Sequence, residues 1–186
     1  MLSSFLWSLD HYIVPDLIRL RREIRPRGDE KLEGCTIPTA MFAFSILDLL
    51  GFLMRPSPAN KMQSERNIRF ACSAAAGLFP VDYDRVSEAL VHLFRHGLTH
   101  QIFPKASGVS KPNRAGLPLI FYLDGPVPSL NVDRLVDDLL AAIQKFKLLA
   151  SANHEKALAE QVNNRLLDLQ KEDCDRLRDM KKKGIV

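Results

Sequence analysis

Proline punctuates this chain so unevenly that it dictates where long helices can lie. The eleven prolines are Pro15, Pro26, Pro38, Pro56, Pro58, Pro80, Pro104, Pro112, Pro118, Pro126 and Pro128. Inside a helix a proline removes one hydrogen bond and clashes with the preceding turn. The proline-free stretches 39–55, 59–79, 81–103 and 129–186 are therefore the natural helical ones. Between residues 103 and 129 the prolines crowd together with Gly108, Gly116 and Gly125, and no helix can cross them. There the run from Leu117 to Leu123, LPLIFYL, predicts one strand, paired with the region around Ile102 or Val109 as a small β-hairpin.

Elsewhere apolar residues recur at helical spacing. Leu2, Phe5 or Leu6, Leu9, Ile13, Leu17, Leu20 and Ile24 predict an amphipathic helix from about Ser3 to Ile24, kinked at Pro15. Arg19, Arg21, Arg22 and Arg25 gather at its end, where the helix dipole favours cations; the alternatives are solvated arginines or an RNA-contacting patch. Thr36 is placed to cap a second helix, apolar on nearly every face from 37 to 54, which is the pattern of a buried central element. Asp48 is its lone charge, and a buried acid needs a partner. That partner is expected to be an arginine, unless Asp48 orients a functional residue. Residues 65–78 predict a third helix, ended by Gly77 and Pro80. Asp82 or Asp84 is placed to cap a fourth, with Val86, Leu90, Leu93 and Phe94 as its stripe and Gly97 as a fraying point.

Asn131 is placed to cap a final strong helix that buries Leu135, Leu139, Ala142, Ile143, Phe146 and Leu149. Beyond Ala150 a narrower stripe, Leu158, Val162, Leu166, Leu169, Leu177 and Met180, is interrupted by Asp173 and suits a partner helix. Whether 131–180 is one helix or two joined near Ser151–Asn153 stays open at this level. The expected fold class is all-α: a single domain built as a bundle of about five helices, with a small β-hairpin insertion and a long C-terminal helix. Its core spans about 3–103 and 131–150, its Pro/Gly-rich insertion 104–129, and its helical extension 151–183.

With 46% hydrophobic residues among 186, the chain can bury one substantial core. A formal charge of +4 is too mild to prove a nucleic-acid partner. Cys35, Cys72 and Cys174 are odd in number and widely spaced, which argues against a disulfide framework or a cysteine zinc knuckle and for a reducing, cytoplasmic home. Asp10, His11, Pro15 and Asp16 interrupt any spanning run near the N-terminus, so neither a signal peptide nor a membrane anchor is expected.

Three of the five histidines, His92, His96 and His100, fall within nine residues. On an unbroken helix they would stack at steps of four, and two of them could chelate a metal ion. Gly97 weakens that geometry and no neighbouring acid completes the set, so no metal and no cofactor is expected. The same segment reads Arg95-His96-Gly97-Leu98-Thr99-His100, an arginine followed by a polar residue with a histidine five positions on. It resembles the HEPN superfamily, helical-bundle proteins of which many are metal-independent ribonucleases. The stretch Ser45-Ile46-Leu47-Asp48-Leu49-Leu50-Gly51 is similar to the acid-plus-glycine helix of some members, and the likeness covers roughly residues 37–150. The resemblance implies a homodimeric endoribonuclease, of toxin-antitoxin or phage-defence type, with RNA as its partner. The long Pro-rich insertion after His100 departs from that pattern.

The chemistry is coherent in itself. A histidine, titrating near neutrality, can take the proton of a 2′-hydroxyl that attacks the adjacent phosphorus. A guanidinium can stabilise the resulting phosphorane through paired hydrogen bonds. His100 suits the first role, Arg95 the second, and His96 either the orienting of phosphate or the task of second proton carrier; Lys105 and Lys111 are either solvated or bind substrate phosphate. The rival expectation is a non-catalytic helical adaptor, in which Arg95 and His100 merely bind carbonyls at a helix end and the C-terminal helix engages a protein partner.

Overall fold

Pro15 shapes the first helical rod. It has no N–H to offer the carbonyl of His11, and the turn before it opens into a π turn. In the computed structural model, α1 (Leu2–Ser8) passes through that turn (Leu9–Ile13) into α2 (Val14–Arg22), with the Val14 N–H bonded to the carbonyl of Leu9. The structure describes residues 1–22, 36–56, 63–101, 107–110, 116–122, 125–151 and 156–184.

The apolar run becomes α3 (Thr36–Met54), which buries Phe44, Leu47, Leu50 and Leu53 and touches α2 together with most of the elements that follow. Among the described helices it alone is long and apolar enough to cross a membrane, yet 56% of that stretch is buried inside the bundle. It is a core helix, as its all-round hydrophobicity predicts.

The third helix is shorter than its sequence suggests. α4 spans Ser64–Cys72 and stops where Ser73 turns extended and its hydroxyl bonds back to the carbonyl of Phe70. The small residues Ala74–Ala76, expected inside the helix, form turns instead, and Gly77 follows with φ of 64°. The fourth rod is longer than expected. α5 (Asp82–Ala89), a second π turn (Leu90–Arg95) and α6 (His96–Gln101) run on through Gly97, which is buried rather than frayed. No side chain caps α5; Asp82, expected to do so, lies in its first turn and pairs with Arg134 at 2.6 Å.

Among the described residues, the insertion and its junction with the next helix hold three short strands, β1 (Gly108–Ser110), β2 (Ile120–Tyr122) and β3 (Pro128–Asn131), in the order β1-β3-β2. Both the Val109 region and the LPLIFYL run are strands, but they do not pair with each other. β3 lies between them, parallel to β1 and antiparallel to β2, so the expected hairpin partner was wrong. The central strand is hidden in sequence because it runs straight into a helix. Its last residue, Asn131, caps α7 (Val132–Ser151) by accepting the Arg134 N–H at 3.0 Å.

α7 buries Leu135, Leu139, Ile143 and Phe146, and α8 (Lys156–Lys182) follows; of the expected join near Ser151–Asn153, residues 152 and 153 lie outside the described residues. Val162, Arg165 and Leu166 dock α8 on the bundle; from Leu167 to Gly184 no residue is buried. The molecule is thus mostly helical, with a small mixed sheet and a long C-terminal helix.

Candidate functional site

The Arg95–His100 segment sits at the junction of the second π turn and α6. Arg95 ends the wide turn, and the His96 N–H reaches back five residues to the carbonyl of Val91. Arg95 and His96 are both half-buried, and neither is without a partner. Phe94 and Leu98 on either side are fully buried, which anchors the segment in the core. His100 follows one turn later on α6; its side chain lies outside the described residues, as do Lys105 and Lys111.

One turn before His96, the ring of His92 lies nearly parallel to that of His96, with centroids 5.8 Å apart and an interplanar angle of 24°. His92 is held from a second helix. Arg69 Nη2 of α4 is 3.2 Å from His92 Nε2, and Glu65 and Glu88 Oε1 lie 3.7 and 3.8 Å from the same nitrogen. Arg69 pairs with Glu65 at 2.7 Å and approaches Glu88 to 3.7 Å. Arg69, Glu65 and Glu88 carry no motif that marks them in sequence. Only their local spacings, Glu65 to Arg69 and Glu88 to His92, are visible there. That α4 packs beside α5 is a tertiary fact.

A guanidinium donates and never accepts, so in this contact Arg69 is the donor and His92 Nε2 the acceptor. Among the described residues no group of three His, Cys, Asp or Glu is disposed to hold a metal ion.

Asp48 does not meet the expected arginine. Among the described residues its partners are neutral: Asn67 Nδ2 donates to it at 2.7 Å, and the Ser64 hydroxyl donates to its other oxygen. No arginine pairs with it there. Gly51, one turn on, lies so close to α4 that a Cβ would stand 1.8 Å from the Asn67 carbonyl oxygen. The acid-plus-glycine pattern of α3 therefore docks α4, the helix that carries Arg69. The arginines at the end of α2 also divide. Arg21 pairs with Asp137, and more distantly with Asp133 at 3.5 Å, both on α7, and keeps 23% of its side chain exposed. Arg19 is exposed, and the side chains of Arg22 and Arg25 lie outside the described residues.

Buried titratable groups nearby serve stability. Burial, and then Asp84, pushes the Cys72 thiol up to about 12. Tyr83 is raised further, by burial and then by the facing Asp138 carboxylate, which its hydroxyl does not reach in hydrogen-bonding geometry. Burial disfavours the Arg134 charge, but Asp82 and then Asp138 outweigh it.

Chemically, the junction offers one guanidinium and two imidazoles on consecutive turns, a set suited to proton transfer and to stabilising anionic charge near neutral pH. Comparison of the chain with protein-family models, with curated proteins and with solved structures finds no match.

Proposed function

We propose that the chain is a HEPN-like endoribonuclease that cuts RNA without a metal, in the cytoplasm, in a toxin or phage-defence setting. The observation that carries the reading is the junction itself. Arg95 and His96 remain partly exposed between buried anchors, and His100 follows in the same short helix. His100 takes the proton of the 2′-hydroxyl, which attacks the adjacent phosphorus. Arg95 stabilises the phosphorane with a planar pair of donors, which a lysine cannot reproduce. His96 returns a proton to the departing 5′-oxygen, and the product ends in a 2′,3′-cyclic phosphate.

The test is incubation of labelled RNA with the purified protein and EDTA. Cleavage with cyclic-phosphate ends is expected, and His100→Ala should lose about 10²–10⁴ in rate. Arg95→Lys should fall comparably. Cleavage that requires a divalent ion, or that survives both substitutions, overturns the reading. The adaptor alternative rests on a different observation: Leu177 is 57% and Met180 36% exposed on the free length of α8. These side chains offer an apolar contact to a second copy of the chain, and an inert protein that associates through them is what the adaptor reading requires.

A further inference from the structure

Charge is laid out along the free length of α8 in two opposed blocks. Residues 168–175 hold four acids, Asp168, Glu172, Asp173 and Asp175, against Lys171, and residues 176–183 hold five cations, Arg176, Arg178, Lys181, Lys182 and Lys183, against Asp179. All are exposed except Glu172, which is half-buried. The helix dipole explains only part of this. It favours lysines in the last turn, but its influence fades within a turn of either end. The acids lie well beyond the first turn of α8, and Arg176 and Arg178 come before its last. Arg178 pairs with Asp175 at 3.1 Å within the helix, and both are so exposed that the pair contributes little. Through the same length runs an apolar face that the bundle leaves open. Leu177 is 57% and Met180 36% exposed, and the exposed Cys174 precedes Leu177 by one turn.

We infer that the free length of α8 pairs antiparallel with the same helix of a second copy of the chain, with the two-fold axis at the boundary between residues 175 and 176. In that register each acidic block lies along the partner's cationic block, which is the complementarity that selects a partner and its orientation. A parallel pair would set acid on acid and cation on cation. Each Leu177 then stands level with a Cys174, and each Met180 with a Lys171, whose aliphatic stem covers apolar surface while its ammonium stays in water. Opposed helix dipoles favour the same arrangement. The apolar residues supply contact and the charges decide which end meets which, a step beyond the apolar contact named above and independent of the ribonuclease reading. The contact is short and polar, so the association belongs to the weak, reversible class. The docked ends of the two helices, at Leu166, stand about 28 Å apart along the pair, with one bundle at either end.

The experiment is sedimentation of the full chain over a concentration series, without RNA. The wild type should run as a reversible dimer whose dissociation constant rises with salt, because screening weakens the attraction of unlike charges. Asp173→Lys/Asp175→Lys should raise that constant roughly tenfold or more, since the two-fold axis makes every substitution count twice. Arg176→Glu/Arg178→Glu should do the same. An equal mixture of the two variants should associate again, because the intact cationic block of the first meets the intact acidic block of the second. The direction of the change separates the two orientations: either variant would relieve a parallel pair of like charge and tighten it. All four positions are exposed, so thermal melts should match the wild type and verify that the variants are folded. A wild type that stays monomeric, a dissociation constant that is unchanged or lowered in either variant, or a mixture that fails to associate overturns the inference. The RNA-cleavage assay is separate: absence of cleavage with dimers present defeats the ribonuclease reading alone, and cleavage by monomers defeats the pairing alone.

Discussion

A single hydrogen on Gly51 determines how close α3 and α4 can come. A methyl group there would collide with backbone at 1.8 Å, and backbone cannot swing aside as a side chain can. Gly51→Ala should therefore cost about 3 kcal/mol or more, read as a fall in the urea midpoint without a change in slope. Asp48 works beside it with a smaller stake. An acid paired with a buried arginine would leave an orphaned charge when removed, but its partners here are a hydroxyl and an amide. Asp48→Ala should cost about 1–3 kcal/mol, the penalty for a buried amide donor losing its acceptor. Asp48→Asn should cost less, since the amide oxygen still accepts from Asn67. The sequence announced that an acid and a glycine sit three residues apart in an apolar helix. It gave no sign that Ser64 and Asn67 are what they meet, because those residues belong to an element whose placement no local pattern encodes.

At the scale of the element, helix ends and turns do the organising. The last carbonyls of α3 have no partners within the helix. Arg165 of α8 supplies them: it donates to the carbonyl of Phe52 and, at 2.5 Å, to that of Arg55, while its guanidinium lies 5.4 Å from the Phe52 ring centre. Gln161 adds the carbonyl of Leu53 at 2.9 Å. A cation at this end also complements the helix dipole. Arg165→Met should destabilise the protein by about 2–3 kcal/mol and shorten hydrogen-exchange protection at the base of α8. The same helix shows how a stripe can mislead. Leu166 and Leu169 read as contact residues in sequence, yet Leu166 is buried in the molecule's own core, and of that stripe only Leu177 and Met180 are exposed. Light scattering should return twice the 21.0 kDa chain mass for the wild type and a single chain for Leu177→Asp/Met180→Asp, with an unchanged melt. The π turn before Pro15 has its own signature. It brings both His11 and Tyr12 against Trp7, with ring centres at 4.2 and 5.4 Å, whereas on a regular helix a residue five positions on points well away.

The whole molecule carries its pH response in its core. Cys72 is held at about 12 against an ordinary 9.0, so above pH 9 the unfolded chain releases a proton that the folded chain retains. Stability is then lost as pH rises from about 9 toward 12, and below 9 the group contributes nothing. Tyr83 acts in the same direction from about pH 10. Urea midpoints should fall progressively above pH 9, with a slope of up to about 1.4 kcal/mol per pH unit for each group. Cys72→Ala should flatten the fall between pH 9 and 10. What the sequence determined is the set of local facts: the helices between prolines, the buried α3, the strand at LPLIFYL, the Asn131 cap, and the grouping of Arg95, His96 and His100. Each follows from spacing or from a residue's own backbone preference, so neighbours along the chain suffice to set it. Tertiary structure alone decided which strand lies between the other two, what Asp48 binds, that α8 caps α3, and that Arg69 reaches His92. Those depend on atoms far apart in sequence, brought together only when α3, apolar on every side, gathers the other helices around itself.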